Sequence, residues 1–138
     1  MNAFRSAALA SVLAVTACGD DASIDRNVEK YVTIQQGIYG QITSLDDVGS
    51  DNDPKYLPGF GVDVFAVPAG DALADPIASA VSNGRGFYEI DVPAGEYVIC
   101  SSFRRCVSIS VAQGLLRIDY ESGVGPGWSQ GTSWPPPP

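Results

Sequence analysis

Apolar and polar residues alternate along most of the chain, and turn-forming residues cut the alternation at short intervals. Segments 38–44, 62–67, 77–82, 87–92, 96–101, 107–112 and 115–120 each read as a strand, and 31–34 is a shorter run able to pair with the next segment. Pro68-Ala69-Gly70, Asn83-Gly84 and Pro93-Ala94-Gly95 end three of them. Within the strands one parity is apolar. Tyr88, Ile90 and Val92 oppose Phe87, Glu89 and Asp91; Val107, Ile109 and Val111 oppose Cys106, Ser108 and Ser110; Leu116, Ile118 and Tyr120 oppose Leu115, Arg117 and Asp119. About seven short strands with turns between them predict an all-β sandwich or barrel, and one buried and one wetter face per strand favours an antiparallel β-sandwich. Segment 45–59 reads as a polar loop, and 71–79 holds a helical turn at most.

The first residues follow a different pattern. Arg5 precedes an apolar run over 7–15, which is the length of a signal-peptide core and too short to span a bilayer. Val15-Thr16-Ala17-Cys18 then resembles the lipobox of bacterial lipoproteins, an aliphatic residue and two small ones before a cysteine. The resemblance implies a signal peptide over 1–17 and lipidation of Cys18, with palmitate among the acyl chains. It implies a partner in the membrane reached through an N-terminal lipid anchor. Glycine rather than aspartate follows Cys18, which in such lipoproteins favours the outer membrane. Residues 18–30 are polar and read as a lipidated tether, 31–122 as the sandwich domain, and 123–138 as a Gly/Ser/Pro-rich tail expected to be disordered.

Composition narrows the chemistry. The chain of 138 residues holds 15 Gly and 10 Pro, which suits short strands and tight turns. Its net charge of −8 repels phosphate backbones, so no nucleic-acid partner is expected. It has no histidine, which removes Ser-His-Asp hydrolysis and histidine-held metals. Of the three cysteines, Cys100 and Cys106 remain once Cys18 carries lipid. They fall on one parity of consecutive strands, flanking a five-residue connection, and predict a disulfide across a hairpin in an oxidising compartment.

The motifs Gly40-Gln41-Ile42-Thr43, Leu57-Pro58-Gly59-Phe60-Gly61-Val62, Asn83-Gly84-Arg85-Gly86-Phe87-Tyr88 and Pro93-Ala94-Gly95-Glu96-Tyr97 occur in that order. The series resembles the carboxypeptidase regulatory-like (transthyretin-like, prealbumin-like) domain and is similar to the B-type repeat of collagen adhesins. The resemblance spans roughly 37–120 and implies a transthyretin-like, Greek-key sandwich. Gly86 and Gly95 suit backbone angles other residues avoid, Pro93 presets a turn, and the Tyr97 hydroxyl is placed to hold a neighbouring loop. The adhesin repeats often carry a Lys–Asn isopeptide bond, but the last strand here offers no asparagine. The enzyme of the fold, hydroxyisourate hydrolase, relies on histidines and a terminal Tyr-Arg-Gly-Ser that this chain lacks.

Three clusters remain. Asp46, Asp47, Asp51 and Asp53 make an oxygen-rich loop and are weak calcium candidates, since the Asp-x-Asn-x-Asp-Gly core is missing; no cofactor is expected. Phe103-Arg104-Arg105 forms a basic, aromatic hairpin tip on an acidic protein, suited to a lipid head group or a partner. Trp128 and Trp134 sit in the tail, where tryptophans can stack on sugars. The carboxylates lie mostly in loops or on outward parity, as Glu89 and Asp91 do, and not in an evident cleft, and the chain is small for a sugar cleft built on two acids. The expectation is a non-catalytic, lipid-anchored envelope protein, not an enzyme, that binds a protein partner or supports the membrane surface. The alternative is a carbohydrate-binding module using the tail tryptophans.

Overall fold

A computed structural model describes residues 24–45, 54–70, 72–102, 104–123 and 127–134. Ten strands are present among them: β1 (Gly37–Leu45), β2 (Pro54–Tyr56), β3 (Gly61–Ala66), β4 (Ala78–Val81), β5 (Phe87–Ile90), β6 (Gly95–Ser101), β7 (Cys106–Val111), β8 (Leu115–Arg117), β9 (Tyr120–Gly123) and β10 (Thr132–Trp134). A single 3-10 turn, Glu29–Tyr31, precedes them. The fold is all-β, as the alternation predicts.

Two sheets pack face to face. One runs β10-β7-β6-β3-β4 and is antiparallel throughout. The other is built around β1, whose nine residues pair with β5 and β2 on one edge and with β8 and β9 on the other. The pairing of β1 with β8 and β9 is parallel, so this sheet is mixed, where an antiparallel one was expected. The core lies between the sheets. Ile38, Ile42, Tyr88, Ile90, Ile118 and Tyr120 meet Val62, Val64, Tyr97, Ile99, Ile109 and Val111, the apolar parity of each strand.

Elsewhere the strands differ from the pattern. The expected strand at 115–120 is interrupted at Ile118 and Asp119: the Ile118 N–H still donates to the Tyr39 carbonyl at 2.8 Å, but the Ile118 carbonyl accepts from the Tyr88 hydroxyl and not from the Gln41 N–H. The Asp119 carboxylate fills the gap by accepting from the Gln41 N–H at 2.9 Å. The polar loop contains β2, which pairs with the end of β1. Segment 31–34 forms no strand: the Tyr31 and Val32 N–H groups donate to the Val28 and Glu29 carbonyls of the 3-10 turn, and those of Thr33 and Ile34 to the Glu89 carboxylate.

Gly86 and Gly95 have different roles. Gly86 has φ +75° and lies so close to the Ile42 carbonyl that a Cβ would overlap it, so glycine is required there. Gly95 opens β6 without a positive φ. The Tyr97 hydroxyl donates to the Pro93 carbonyl at 2.6 Å, holding the turn before its own strand as expected.

Packing extends beyond 31–122 on both sides. Val28, with 1% of its surface exposed, joins Tyr39 and Phe87 in a second apolar cluster on the outer face of the β1 sheet, and Tyr31 and Val32 pack against it. Residues 24–34 therefore form a strap over a face expected to be wet. Its polar atoms are satisfied by the sheet: Asp25 N–H donates to the Tyr56 hydroxyl at 2.7 Å, Gln41 Nε2 to the Asp25 carbonyl at 2.8 Å, and Thr33 Oγ1 to Glu89 at 2.6 Å. The tether expected over 18–30 is thus docked from Ile24 onward. Tail residues 127–134 are likewise ordered against the sandwich, and the expected disorder does not extend to them.

Candidate functional site

The β6–β7 hairpin and β10 form one corner of the larger sheet. Ser101 N–H donates to the Arg105 carbonyl and Arg104 N–H to the Ser101 carbonyl, both at 2.9 Å, closing the hairpin tip. Arg104 has φ +64°, a left-handed conformation that glycine or asparagine adopts more cheaply. Below the tip, Cys100 and Cys106 are register partners with Cα atoms 4.1 Å apart and sulfurs at bonding distance. The cysteine pairing read from parity is present. Cys100 is nevertheless buried, at 6% exposure, because β6 is covered on both faces. Leu73 and Ala74 face it, with Phe65, across a depression of about 330 Å³.

Trp128 and Trp134 part company. Trp128 is in the core, edge-on to Tyr120 with ring centroids 4.8 Å apart, and its Nε1 donates to the Arg105 carbonyl at 2.8 Å. It is not free to stack on a ligand, which corrects the pairing of both tryptophans in a sugar site. Trp134 lies on β10 opposite Cys106 and is half-buried. There it joins Arg104, Arg105, Ser133 and the outer edge of Trp128 around a cleft of about 210 Å³. Both arginines are exposed, and among the described residues neither guanidinium has an ion-pair or hydrogen-bond partner.

The sequence placed the two arginines and Trp134 in separate clusters. Their union depends on β10 pairing with β7, for which Gly131, at φ +97°, and the short Thr132-Ser133-Trp134 run were the only local signals. A third hollow, of about 340 Å³, lies on the other side of Trp128 between Arg26, Thr43, Glu121 and Ser129. It is walled by the strap, so sequence reading missed it entirely.

Six carboxylates of the described residues, those of Asp25, Glu29, Asp63, Glu89, Glu96 and Asp119, accept hydrogen bonds within the fold. Asp25 is kept below its ordinary pKa by the Lys30 ammonium, 2.7 Å away, and by the Asn27 N–H. Glu29 is lowered by its own backbone N–H and by Arg117. For Glu89, burial opposes ionisation, but hydrogen bonds from Thr33 Oγ1 and from the Thr33 and Ile34 N–H groups outweigh it and lower the pKa. Asp63 accepts from Ser79 and Glu96 from Ser110, each at 2.6 Å.

Cys18, the calcium candidates Asp46, Asp47, Asp51 and Asp53, and Phe103 lie outside the described residues. Among the described residues no three His, Cys, Asp or Glu side chains gather as a metal site, and no helix is long and apolar enough to cross a membrane. Comparison with known protein families, with curated proteins and with solved structures finds no match to this chain.

Proposed function

We propose that this is a lipid-anchored protein of the bacterial cell envelope whose β-sandwich is a non-catalytic binding module held close to the membrane. The observation that carries the reading is the docked strap. Because the chain packs on the sandwich from Ile24 onward, only residues 19–23 separate the domain from Cys18. Six residue steps reach at most about 20 Å. A lipid on Cys18 therefore holds the sandwich beside the bilayer, where its partners are envelope components. The glycine after Cys18 favours the outer membrane. The two-sheet core and the Tyr97–Pro93 corner support the resemblance to carboxypeptidase regulatory-like, transthyretin-like Greek-key domains. The non-catalytic part of the reading draws on Asp25, Glu29 and Glu89, whose carboxylates are held in the ionised form by the bonds that dock the strap.

The experiment is mass spectrometry and fractionation of the chain expressed in a Gram-negative host. The expected result is an acylated N-terminus at Cys18, sedimenting with outer membranes, and a Cys18→Ala chain released to the soluble periplasmic fraction. A Cys18→Ala chain that still sediments with membranes overturns the anchor.

A further inference from the structure

Of the seven basic side chains among the described residues, Arg26 lines the hollow beside Glu121, and Lys55 and three others have a partner. Lys30 pairs with Asp25, Arg117 with Glu29 and Asp119, and Arg85 lies over the Tyr31 ring with its guanidinium carbon 5.6 Å from the centroid. Among the described residues Arg104 and Arg105 have none. They stand together at the lip of the cleft beside Trp134 and the Ser133 hydroxyl, and the hairpin holds Arg104 in a left-handed backbone conformation. Such a conformation is strained in a residue with a Cβ, and it persists because the closed tip over-determines it.

We propose that this cleft binds a carboxylated sugar unit. Each half of such a ligand has a complement here. A guanidinium donates two parallel N–H bonds to a carboxylate, and two guanidiniums side by side select a negative group strongly over a neutral one. The axial C–H bonds of a pyranose ring carry partial positive charge and lie on the negative face of an indole, which half-buried Trp134 supplies. Ser133 adds a hydroxyl able to donate to or accept from a ring hydroxyl. A cleft of about 210 Å³ has room for one sugar ring rather than a larger cofactor.

The charge balance of the molecule favours a small acidic unit over an extended anionic surface. The whole chain carries −8, so an extended polyphosphate backbone or anionic bilayer is repelled by the net charge of the molecule. A single carboxylate seated between the arginines feels mainly charges within about 8 Å at physiological salt, and there the arginines dominate. The inference rests on the binding-module reading and names the ligand class of its site. It does not depend on the lipid anchor.

The test is isothermal titration calorimetry of the mature full-length chain, extracted in detergent, with a galacturonic acid trisaccharide. Its methyl ester, maltotriose and inorganic phosphate serve as comparisons. Saturable binding of the galacturonate is expected, weakened at least about tenfold by esterification and about tenfold or more by the double substitution Arg104→Gln, Arg105→Gln. Trp134→Ala is expected to weaken it similarly, and Trp134→Phe less. Unchanged circular dichroism and an intact Cys100–Cys106 mass verify that the variants fold; the ester comparison needs no variant. Equal binding of acid and ester, equal binding of phosphate, or no saturable binding of the galacturonate overturns the proposal. Each of those results leaves the Cys18 fractionation unaffected, so loss of the sugar site and loss of the anchor are separate outcomes.

Discussion

The Arg117 guanidinium donates from Nη1 to Glu29 Oε2 at 2.7 Å, tying β8 to a residue 88 positions earlier in the chain. The same guanidinium donates from Nη2 to the Arg26 carbonyl at 2.9 Å and from Nε to Asp119. Asp119 in turn accepts from the Gln41 N–H where β8 and β9 are interrupted. One side chain thus clasps the strap and orients the carboxylate that repairs the central strand's ladder. Arg117→Met is expected to loosen both, seen as earlier exchange of the amide protons of 24–34 and of Gln41. Protection at these amides equal to that of the unsubstituted chain counts against the clasp.

The strap is expected to be acid-labile. Asp25, Glu29 and Glu89, which hold it, all have pKa values lowered in the folded protein. A group with a depressed folded pKa contributes stability that is complete above its unfolded value, near 4 for carboxylates, and is lost as pH falls through the folded value. Residues 24–34 should therefore undock on acidification from about pH 4 downward, before the sandwich core unfolds, and Glu89→Gln should shallow that dependence. Hydrogen exchange or limited proteolysis across pH checks it. Simultaneous loss of strap and core protection at one pH would contradict it.

Reduction of the Cys100–Cys106 bond should destabilise the domain by about 2 kcal/mol, because the closed loop is short and constrains little of the unfolded chain. Intact mass after alkylation, with and without reductant, reads the pairing, and denaturant melts read the cost. Two free thiols in unreduced periplasmic protein would refute the register of β6 on β7, since a one-residue slip turns one sulfur to the other face.

The two tryptophans should separate in stability. Trp128→Ala removes a core ring and the bond to the Arg105 carbonyl, and a cost of about 3–5 kcal/mol is expected. Trp134→Ala, on the edge strand β10, should cost about 1 kcal/mol or less. Equal costs would mean that Trp128 does not belong to the core.

Gly40 and Tyr88 are cross-strand partners, and the Tyr88 hydroxyl donates to the Ile118 carbonyl at 2.6 Å. A Cβ on Gly40 would overlap that carbonyl and press on the Tyr88 ring. Gly40→Ala is expected to cost about 1–3 kcal/mol through overpacking. Tyr88→Phe is expected to cost about 1–2 kcal/mol, because the Ile118 carbonyl loses a buried donor. Chemical melts measure both, and a neutral Gly40→Ala would show that β1 can shift away from Ile118.

Local periodicity carries the strands and the inner faces of this fold. Alternation in Tyr88-Glu89-Ile90, in Val107-Ser108-Ile109 and around Ile118 predicts strands and the faces that meet in the core, because a pleated strand sends successive side chains to opposite sides. The parity of Cys100 and Cys106 likewise brings them together across one hairpin. Which outward faces stay wet is settled only by the packing of distant segments. Phe87 and Tyr39 point away from the main core and are buried because Val28, with Tyr31 and Val32, folds over them. Ile24, Val28, Tyr31 and Val32 recur at a helical spacing, but that spacing does not say what they cover, and one tryptophan at 128 among glycines and serines makes no period; the burial is a contact between distant parts of the chain. The candidate site is divided in the same way. Arg104 and Arg105 are visible as a pair at a hairpin tip, but Trp134 reaches them only through the register of β10 on β7. That register follows from the core position of Trp128 and the positive φ at Gly131, which aim the last described strand along the free edge of β7.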